Sequence, residues 1–118
     1  HPRNFGELTD ADVWYEIDNP LCGDKLILQI KFKSPLLFEE GEGGGVKDCV
    51  QDIKFTGQGC AISLASASLL TEYLKNKTRA ELLAIDDSVI YKLLGIEINA
   101  GRVKCALLPL VGLRKILQ

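Results

Sequence analysis

The sequence predicts an α+β domain, a small antiparallel sheet with helices packed on one face, because strand-like patterns come first and helix-like patterns follow. Residues 25–33 alternate between apolar and polar side chains, as in a half-buried strand, and a second strand is expected from Val46 to Phe55. The acidic, glycine-rich residues 38–45 between them indicate the loop of a long hairpin. A strand near Val13 to Ile17 is expected to pair with this hairpin. From Ala61 onward the apolar residues recur at three- and four-residue steps.

The first helix is expected from Ala61 to about Lys75. Its apolar face is predicted from the residues that recur at helical spacing, which are Ile62, Ala65, Leu69, Tyr73 and Leu74. Thr78 and Glu81 then have the Thr-x-x-Glu spacing of a capping box, which predicts a second, short helix through Ala84.

Two further helices complete the predicted fold. Asp87 or Ser88 can cap a third helix that ends at Gly95. The last helix is expected from Ala106 to Leu117, because basic side chains near its end favour a helix C-terminus. Proline is tolerated in the first turn of a helix, so this helix is expected to begin close to Pro109.

Composition indicates one ordinary domain over residues 1–118 and excludes several classes of function. The chain is 47% apolar and 25% charged, with a net charge of −2 and its basic residues scattered among acidic ones. No basic stripe favours nucleic acid, and no apolar stretch approaches the roughly 18 residues of a membrane-spanning helix. We therefore expect a cytoplasmic protein without nucleic-acid or membrane partners.

Four cysteines allow either two disulfides or a thiol site. A disulfide scaffold or a set of buried thiols is the simpler interpretation. A domain of this length and apolar content, however, does not depend on disulfides for its stability, and thiols are normal in reducing compartments. The only histidine is His1, which argues against a His-based catalytic pair, so no catalytic residue is predicted.

Three of the cysteines fall at the ends of predicted elements. Cys22 precedes the first long strand, with Asp24 two residues on, and Cys60 follows the second strand. These places lie at the same end of an antiparallel hairpin, so Cys22 and Cys60 are expected to converge. The run 57–59 gives the chain freedom to turn and puts Cys60 at a helix N-terminus, where the dipole favours a thiolate. Cys105 precedes the last helix and is the candidate third member.

The set Cys22, Asp24, Cys60 and Cys105 would combine three soft thiolates with one carboxylate. Thiolates suit zinc or iron–sulfur chemistry, whereas a carboxylate is a weaker and more exchangeable ligand for the same ions. The mixed set therefore indicates a metal that is meant to be released.

Cys49 is predicted to be structural. It lies inside the second strand on the same face as Ile53 and Phe55, although Gln51 is on this face as well. A thiol on a buried face behaves as a small hydrophobe.

The sequence around these residues contains several longer motifs. They are Asn19-Pro20-Leu21-Cys22-Gly23-Asp24, Phe55-Thr56-Gly57-Gln58-Gly59-Cys60-Ala61-Ile62-Ser63, Ala65-Ser66-Ala67-Ser68 and Arg102-Val103-Lys104-Cys105. They resemble the signature segments of the IscU/SufU/NifU scaffold family, and residues 1–6 resemble the segment that follows its N-terminal helix. The resemblance covers nearly the whole chain, and we expect the family's N-terminal helix to be missing from it.

The resemblance implies a three-stranded sheet and a site at which a cysteine desulfurase delivers sulfur and iron is added. A [2Fe–2S] or [4Fe–4S] cluster would be built there and passed to apo iron–sulfur proteins or a carrier. Cys22, Asp24, Cys60 and Cys105 carry over as ligands, with Asp24 keeping the cluster labile. In the SufU branch the resemblance implies zinc on the same residues and direct acceptance of sulfur. The protein would be a scaffold and sulfur acceptor and not an enzyme, although zinc-dependent sulfurtransferase activity is compatible with the site.

The assignment to a branch of the family is mixed. Lys104 stands where the IscU branch has a histidine, as in the SufU branch, but the segment between Cys60 and Cys105 is short, as in IscU. We favour SufU-like ligation. Lys104 would then favour the thiolates electrostatically or pair with Asp24 when metal is absent, the alternative being a solvated side chain.

Three functions therefore remain open: an iron–sulfur assembly scaffold, a zinc-dependent sulfur-transfer partner of a cysteine desulfurase, and a structural zinc domain. A structural zinc site has four good ligands, and its removal unfolds the domain. Asp24 in place of a fourth cysteine and a substantial core argue against the structural zinc domain.

Overall fold

The computed structural model describes residues 2–19, 23–33 and 49–117. In order, these form β1 (Val13–Asn19), β2 (Asp24–Lys33), β3 (Cys49–Gln58), α1 (Ala61–Leu74), α2 (Arg79–Leu83), α3 (Asp87–Leu94) and α4 (Val103–Leu117), with a 3₁₀ turn at Ala100–Arg102. The sheet has the order β1-β2-β3, and both strand pairs are antiparallel. The predicted α+β class is confirmed. The predicted hairpin loop at 38–45 and the start of the second strand at Val46 lie outside the described residues.

The β2–β3 pairing extends further toward the site than the sequence indicated. Gln58 pairs with Lys25, and Gly57 pairs with Leu26, so β3 ends at Gln58 and not at Phe55. The prediction of a turn at 57–59 was therefore wrong for its first two residues, because the ladder with β2 continues through them. This longer ladder fixes the two strand ends against each other.

An irregularity near the other end of β3 explains why Gln51 breaks the predicted pattern. Asp52 pairs with Lys31 and Val50 with Phe32, which leaves Gln51 as an extra, exposed residue. Such a bulge reverses the alternation beyond it. Val50, and not Cys49, therefore shares the core face with Ile53, which corrects the predicted face.

The buried face of α1 differs from the predicted apolar face. Leu69 and Tyr73 are 36% and 38% exposed. The buried positions are Ser63, Ser66, Ala67, Ser68, Leu70, Thr71 and Leu74. Small residues let α1 pack closely against β3 and α4. The Thr71 hydroxyl donates to the Ala67 carbonyl within α1, and the Ser66 hydroxyl donates to the Ala106 carbonyl of α4. Apolar periodicity alone misses a buried face that is built partly from serine and threonine.

The last helix begins earlier than predicted and contains its proline in the interior. α4 starts at Val103, so Pro109 is its seventh residue and not part of its first turn. Proline there removes the hydrogen bond to the Cys105 carbonyl, at a local cost of about 3 kcal/mol. Pro109 is itself buried between Leu108 and Leu110, and this packing offsets the cost.

The helix caps follow the sequence closely. The capping box of α2 is confirmed, with the Thr78 N–H donating to Glu81 Oε1 at 2.8 Å and the Glu81 N–H donating to Thr78 Oγ1 at 3.2 Å. The cap of α3 is Asp86, one residue earlier than predicted, because its carboxylate accepts the Ser88 N–H at 3.0 Å. Gly95 ends α3 in the left-handed conformation, as expected.

The N-terminal segment seals one edge of the sheet. The Gly6 N–H donates to the Phe55 carbonyl at 2.9 Å, and the Phe55 N–H donates to the Asn4 carbonyl at 3.0 Å. The Arg3 N–H donates to Ser68 Oγ at 2.7 Å. This segment therefore covers the outer edge of β3 and forms a hydrogen bond with a buried hydroxyl of α1.

One face of the sheet and the facing sides of the helices form the core. Its centre includes Leu26, Ile30, Phe55, Leu70 and Leu110, each 1% exposed or less. α1 packs on β3, and α4 packs on β1 and β2. No helix in the described ranges is both long and apolar enough to span a bilayer.

Candidate metal centre

The end of the β2–β3 hairpin opposite its loop holds the candidate site. Asp24 is the first residue of β2, and Cys60 lies two residues beyond the end of β3 as the N-cap of α1. Because Lys25 pairs with Gln58, the ladder places Asp24 beside the segment that enters α1. The predicted convergence at this end of the hairpin is therefore observed for Asp24 and Cys60.

Asp24 is held by its contacts with Cys60. Asp24 Oδ1 accepts the Cys60 N–H at 3.0 Å, and Asp24 Oδ2 lies 3.5 Å from Cys60 Sγ. The carboxylate is only 3% exposed. One carboxylate oxygen thus orients the backbone of Cys60, while the other faces its sulfur.

Cys105 completes the described part of the site. The prediction that Cys105 lies before the last helix is wrong. Because α4 begins at Val103, Cys105 is the third residue of that helix. It is 2% exposed. The candidate ligand atoms of Asp24, Cys60 and Cys105 all lie within 4.8 Å of one another.

These distances fit one bound ion. Tetrahedral zinc, with bonds of about 2.0–2.3 Å, separates its donor atoms by roughly 3.3–3.8 Å. The 3.5 Å between Asp24 Oδ2 and Cys60 Sγ is already in that range, and the outer limit of 4.8 Å needs only a small closure. Thiolate and carboxylate donors are ligands of zinc and iron, so Asp24, Cys60 and Cys105 could hold a metal ion.

The surroundings of Cys60 favour its charged form. Burial opposes ionisation, yet the pKa of the Cys60 thiol is lowered from its ordinary value. The nearby Ser63 N–H, Cys105 side chain, Ser63 hydroxyl and Ile62 N–H stabilise the thiolate and lower this pKa. The lowered pKa of Cys60 has the direction that is expected from the sequence at this position.

Gly59 and Ser63 are site residues that were not singled out from the sequence. A Cβ at Gly59 would lie 2.5 Å from Ser63 Oγ and 3.0 Å from Asp24 Cγ. Ser63 has no exposed surface, and its hydroxyl donates to the Cys60 carbonyl at 3.1 Å. The signal was available, because both residues lie within three positions of Cys60 in its motif.

Two residues predicted for the site, Cys22 and Lys104, are not among the contacts described above. Cys22 lies outside the described residues, and its place as a ligand stays a prediction. Lys104 is the second residue of α4 and is exposed, and its side chain lines an open groove with Asp18 and Asn19. Its predicted electrostatic role also stays a prediction.

Cys49 is remote from the site. It opens β3, whereas Cys60 follows the other end, and the two ends of a ten-residue strand are about 30 Å apart. Its side chain is buried, and its Sγ donates to the Asn76 carbonyl at 3.2 Å. Among the described cysteines, Cys49, Cys60 and Cys105 form no disulfide. A hydrogen-bonded, buried thiol agrees with a structural role for Cys49.

Comparison with known proteins gives a consistent group of relatives. A sequence model of the NifU-like N terminal domain matches residues 1–113. The zinc-dependent sulfurtransferase SufU of Bacillus subtilis is 34% identical, over 98% of this chain and 80% of the relative. That alignment spans 132 positions, more than the 118 residues here, so the relative has residues that this chain lacks.

A second relative is the iron-sulfur cluster assembly scaffold protein IscU 1 of Archaeoglobus fulgidus. It is 36% identical over 80% of this chain, and the chain spans only 54% of its length. This chain thus resembles both the SufU and the IscU proteins.

Solved structures have the same fold. A protein of Fervidobacterium islandicum, assigned to iron–sulfur cluster assembly in the SUF system, is 28% identical with a TM-score of 0.70, covering 98% of this chain and 87% of that one. The N-terminal NifU-like protein of Brucella abortus has a TM-score of 0.71 at 17% identity, covering 99% of this chain and 84% of its own. The second likeness concerns the fold alone.

Proposed function

We propose that this chain, which belongs to the NifU-like N-terminal domain family, is an iron–sulfur cluster assembly scaffold. It would hold a labile cluster or a zinc ion through Cys22, Asp24, Cys60 and Cys105. The observation that carries the proposal is the meeting of the Asp24, Cys60 and Cys105 donor atoms within 4.8 Å. Cys22 is included because it precedes Asp24 by two residues in the matching motif.

Cys60 is the described thiol best placed to accept sulfur. Its side chain is half-buried, whereas Cys105 and Cys49 are buried. Its thiolate would attack the outer sulfur of a persulfide on a cysteine desulfurase, and the donor cysteine would leave as a thiolate. The sulfur is transferred without net oxidation, and Cys60 becomes the persulfide. Because this chemistry needs reduced thiols, we place it in the cytoplasm.

Zinc-dependent sulfur transfer is the second candidate. It is favoured by the similarity to the Bacillus subtilis sulfurtransferase over 98% of this chain and by a donor set that fits zinc. Both candidates use one site and one sulfur donor. They differ in whether the metal is the product of assembly or a resident ion that organises the thiols.

One experiment tests both candidates. The protein is purified without oxygen and analysed for zinc and iron. It is then incubated with ferrous iron, cysteine and a cysteine desulfurase while visible absorption is followed. A scaffold develops the visible absorption of an iron–sulfur cluster, above about 400 nm, and contains iron and sulfide in matching amounts. A sulfurtransferase keeps its zinc and gains persulfide sulfur without such bands. If neither metal nor sulfur is retained, both candidates are wrong.

Removal of metal is expected to leave the domain folded. The core of sheet and helices is built without the site, so a chelator should lower the melting temperature by mass action only. Far-UV circular dichroism before and after chelation measures this, and a variant that binds no metal should show no change in melting temperature. Loss of the helical signal on chelation would instead indicate a structural zinc domain.

Replacing Asp24 with alanine is expected to slow the release of a bound cluster to an acceptor protein. The carboxylate is the exchangeable ligand through which an acceptor could enter, so removing it leaves the thiolates alone. Asp24→Asn is the matched variant, because an amide oxygen can still accept the Cys60 N–H at the 3.0 Å position. Transfer rates are measured from the loss of visible absorption. Faster loss from Asp24→Ala than from wild type would show that Asp24 does not confer lability.

A further inference from the structure

A buried hydroxyl lies against the sulfur of Cys60. Ser63 Oγ lies 3.8 Å from Cys60 Sγ, with the thiol as the donor. The same hydroxyl donates to the Cys60 carbonyl at 3.1 Å. While Cys60 is protonated, its single proton can be donated to Asp24 Oδ2 at 3.5 Å or to Ser63 Oγ, and the Ser63 hydroxyl proton is directed to the Cys60 carbonyl.

The local backbone leaves this hydroxyl available to the sulfur. A side chain at the third position of a helix commonly reaches back to the N-cap N–H. Here the Cys60 N–H is already accepted by Asp24 Oδ1 at 3.0 Å, so Ser63 has no such role. Gly59, without a side chain, provides the space in which Ser63 Oγ and the Asp24 carboxylate both approach Cys60.

Binding of metal or sulfur changes what the hydroxyl can do. A thiolate has no proton to donate, and a serine hydroxyl rotates freely between acceptors. Hydrogen bonds to a charged acceptor are about twice as strong as those between neutral groups, so the thiolate outcompetes the carbonyl. We propose that Ser63 is a positioning residue, whose hydroxyl turns from the Cys60 carbonyl to the Cys60 sulfur when that sulfur is a bound thiolate. This inference rests on the proposed function of Cys60 as a ligand.

A purely structural role makes a different prediction. Serine and threonine hydroxyls often bond to a carbonyl three or four residues back, as Thr71 does with Ala67 and Ser68. Ser66 also donates to a carbonyl, that of Ala106, at 2.5 Å. If Ser63 acts only on the backbone, removing its hydroxyl should resemble removing that of Ser66. Both serines are at most 1% exposed, so they form a matched pair.

The test compares Ser63→Ala with Ser66→Ala in the full chain. Cobalt(II) is titrated as the probe, and the energy of the sulfur-to-cobalt charge-transfer band is recorded. Zinc affinity is measured by competition with a chelator, and melting temperatures are recorded for both metal-free variants. Loss of a donor to the sulfur should move the band of Ser63→Ala to lower energy and weaken zinc binding about tenfold. Ser66→Ala should lose stability with an unchanged band.

The outcomes separate this inference from the proposed function. If Ser63→Ala has the wild-type band and zinc affinity, Ser63 acts only on the backbone and the inference is wrong. If wild type binds neither cobalt nor zinc, the proposed function is wrong, and the inference that rests on it is wrong as well. Should Ser63→Ala not fold, Ser63→Thr and Ser63→Val repeat the comparison at constant shape. If the charge-transfer band of Ser63→Thr has the wild-type energy and that of Ser63→Val is shifted, the inference about the hydroxyl is supported. If the two variants have bands of equal energy, the inference is wrong.

Discussion

Replacing Cys60 with serine is expected to abolish cluster binding and assembly and to weaken zinc binding strongly. Cys60 contacts both other described candidate ligands, because its sulfur lies 3.5 Å from Asp24 Oδ2 and hydrogen-bonds to Cys105. A four-ligand zinc site contributes about 10–16 kcal/mol, so one ligand contributes roughly 3 kcal/mol, which is more than a hundredfold in affinity. Metal content after anaerobic purification and a zinc competition titration measure the loss.

The control for this variant is Cys49→Ser. Cys49 is 5% exposed at the far end of β3, and a serine hydroxyl there can still donate to the Asn76 carbonyl. Its metal content and cluster formation should match wild type. Wild-type zinc affinity or a full cluster on Cys60→Ser would remove Cys60 from the ligand set and with it the proposed site.

The strands were the most predictable part of the fold. The alternation from Lys25 to Lys33 reports directly which side chains are buried, because one face of β2 packs on the helices. The bulge at Gln51 was visible only as an exception to the pattern. A single sequence shows that alternation fails at such a residue, but the partner strand decides where it resumes.

The helices were predictable in position and less so in their faces. Capping chemistry is local, so the N-cap of α2 at Thr78 and the C-cap of α3 at Gly95 follow from a few neighbouring residues. Burial of Ser66 depends on its hydrogen bond to a carbonyl of α4, forty residues away. Pro109 is tolerated inside α4 because of tertiary packing. Neither of these long-range effects can be predicted from the local helix propensity of the residues.

The site was predictable where hairpin geometry or sequence motif determined it. Asp24 and Cys60 meet because antiparallel strands bring their ends together. Cys105 required the resemblance, since nothing local determines how α4 crosses the sheet. Ser63 was missed because a hydroxyl on a helix is usually a capping or solvent-facing group, and its contact with a sulfur depends on the absent side chain of Gly59.

Replacing Gly57 with alanine is expected to destabilise the whole domain. Gly57 has φ of +143°, a conformation that other residues rarely adopt, although it lies within β3. A Cβ there would overlap the Lys25 carbonyl oxygen and approach Leu26 Cα at 2.9 Å. Strain and backbone displacement together should cost at least about 3 kcal/mol, which lowers the melting temperature by roughly 10 °C or more. Thermal unfolding followed by circular dichroism measures this.

Gly95→Ala is the matched control, because it isolates the conformational cost from the clash. Gly95 has φ of +67° at the end of α3, and a Cβ there would meet nothing within 4 Å. Its replacement should cost only about 1–2 kcal/mol. The difference between the two variants then reports how tightly β2 and β3 approach beside the site. Since Asp24 and Cys60 are held by that approach, Gly57→Ala should also lose zinc affinity at temperatures where it remains folded, whereas Gly95→Ala should retain it. Equal melting temperatures for the two variants would show that β3 can move away from Lys25 without cost, and the rigid ladder would then not be what positions the ligands.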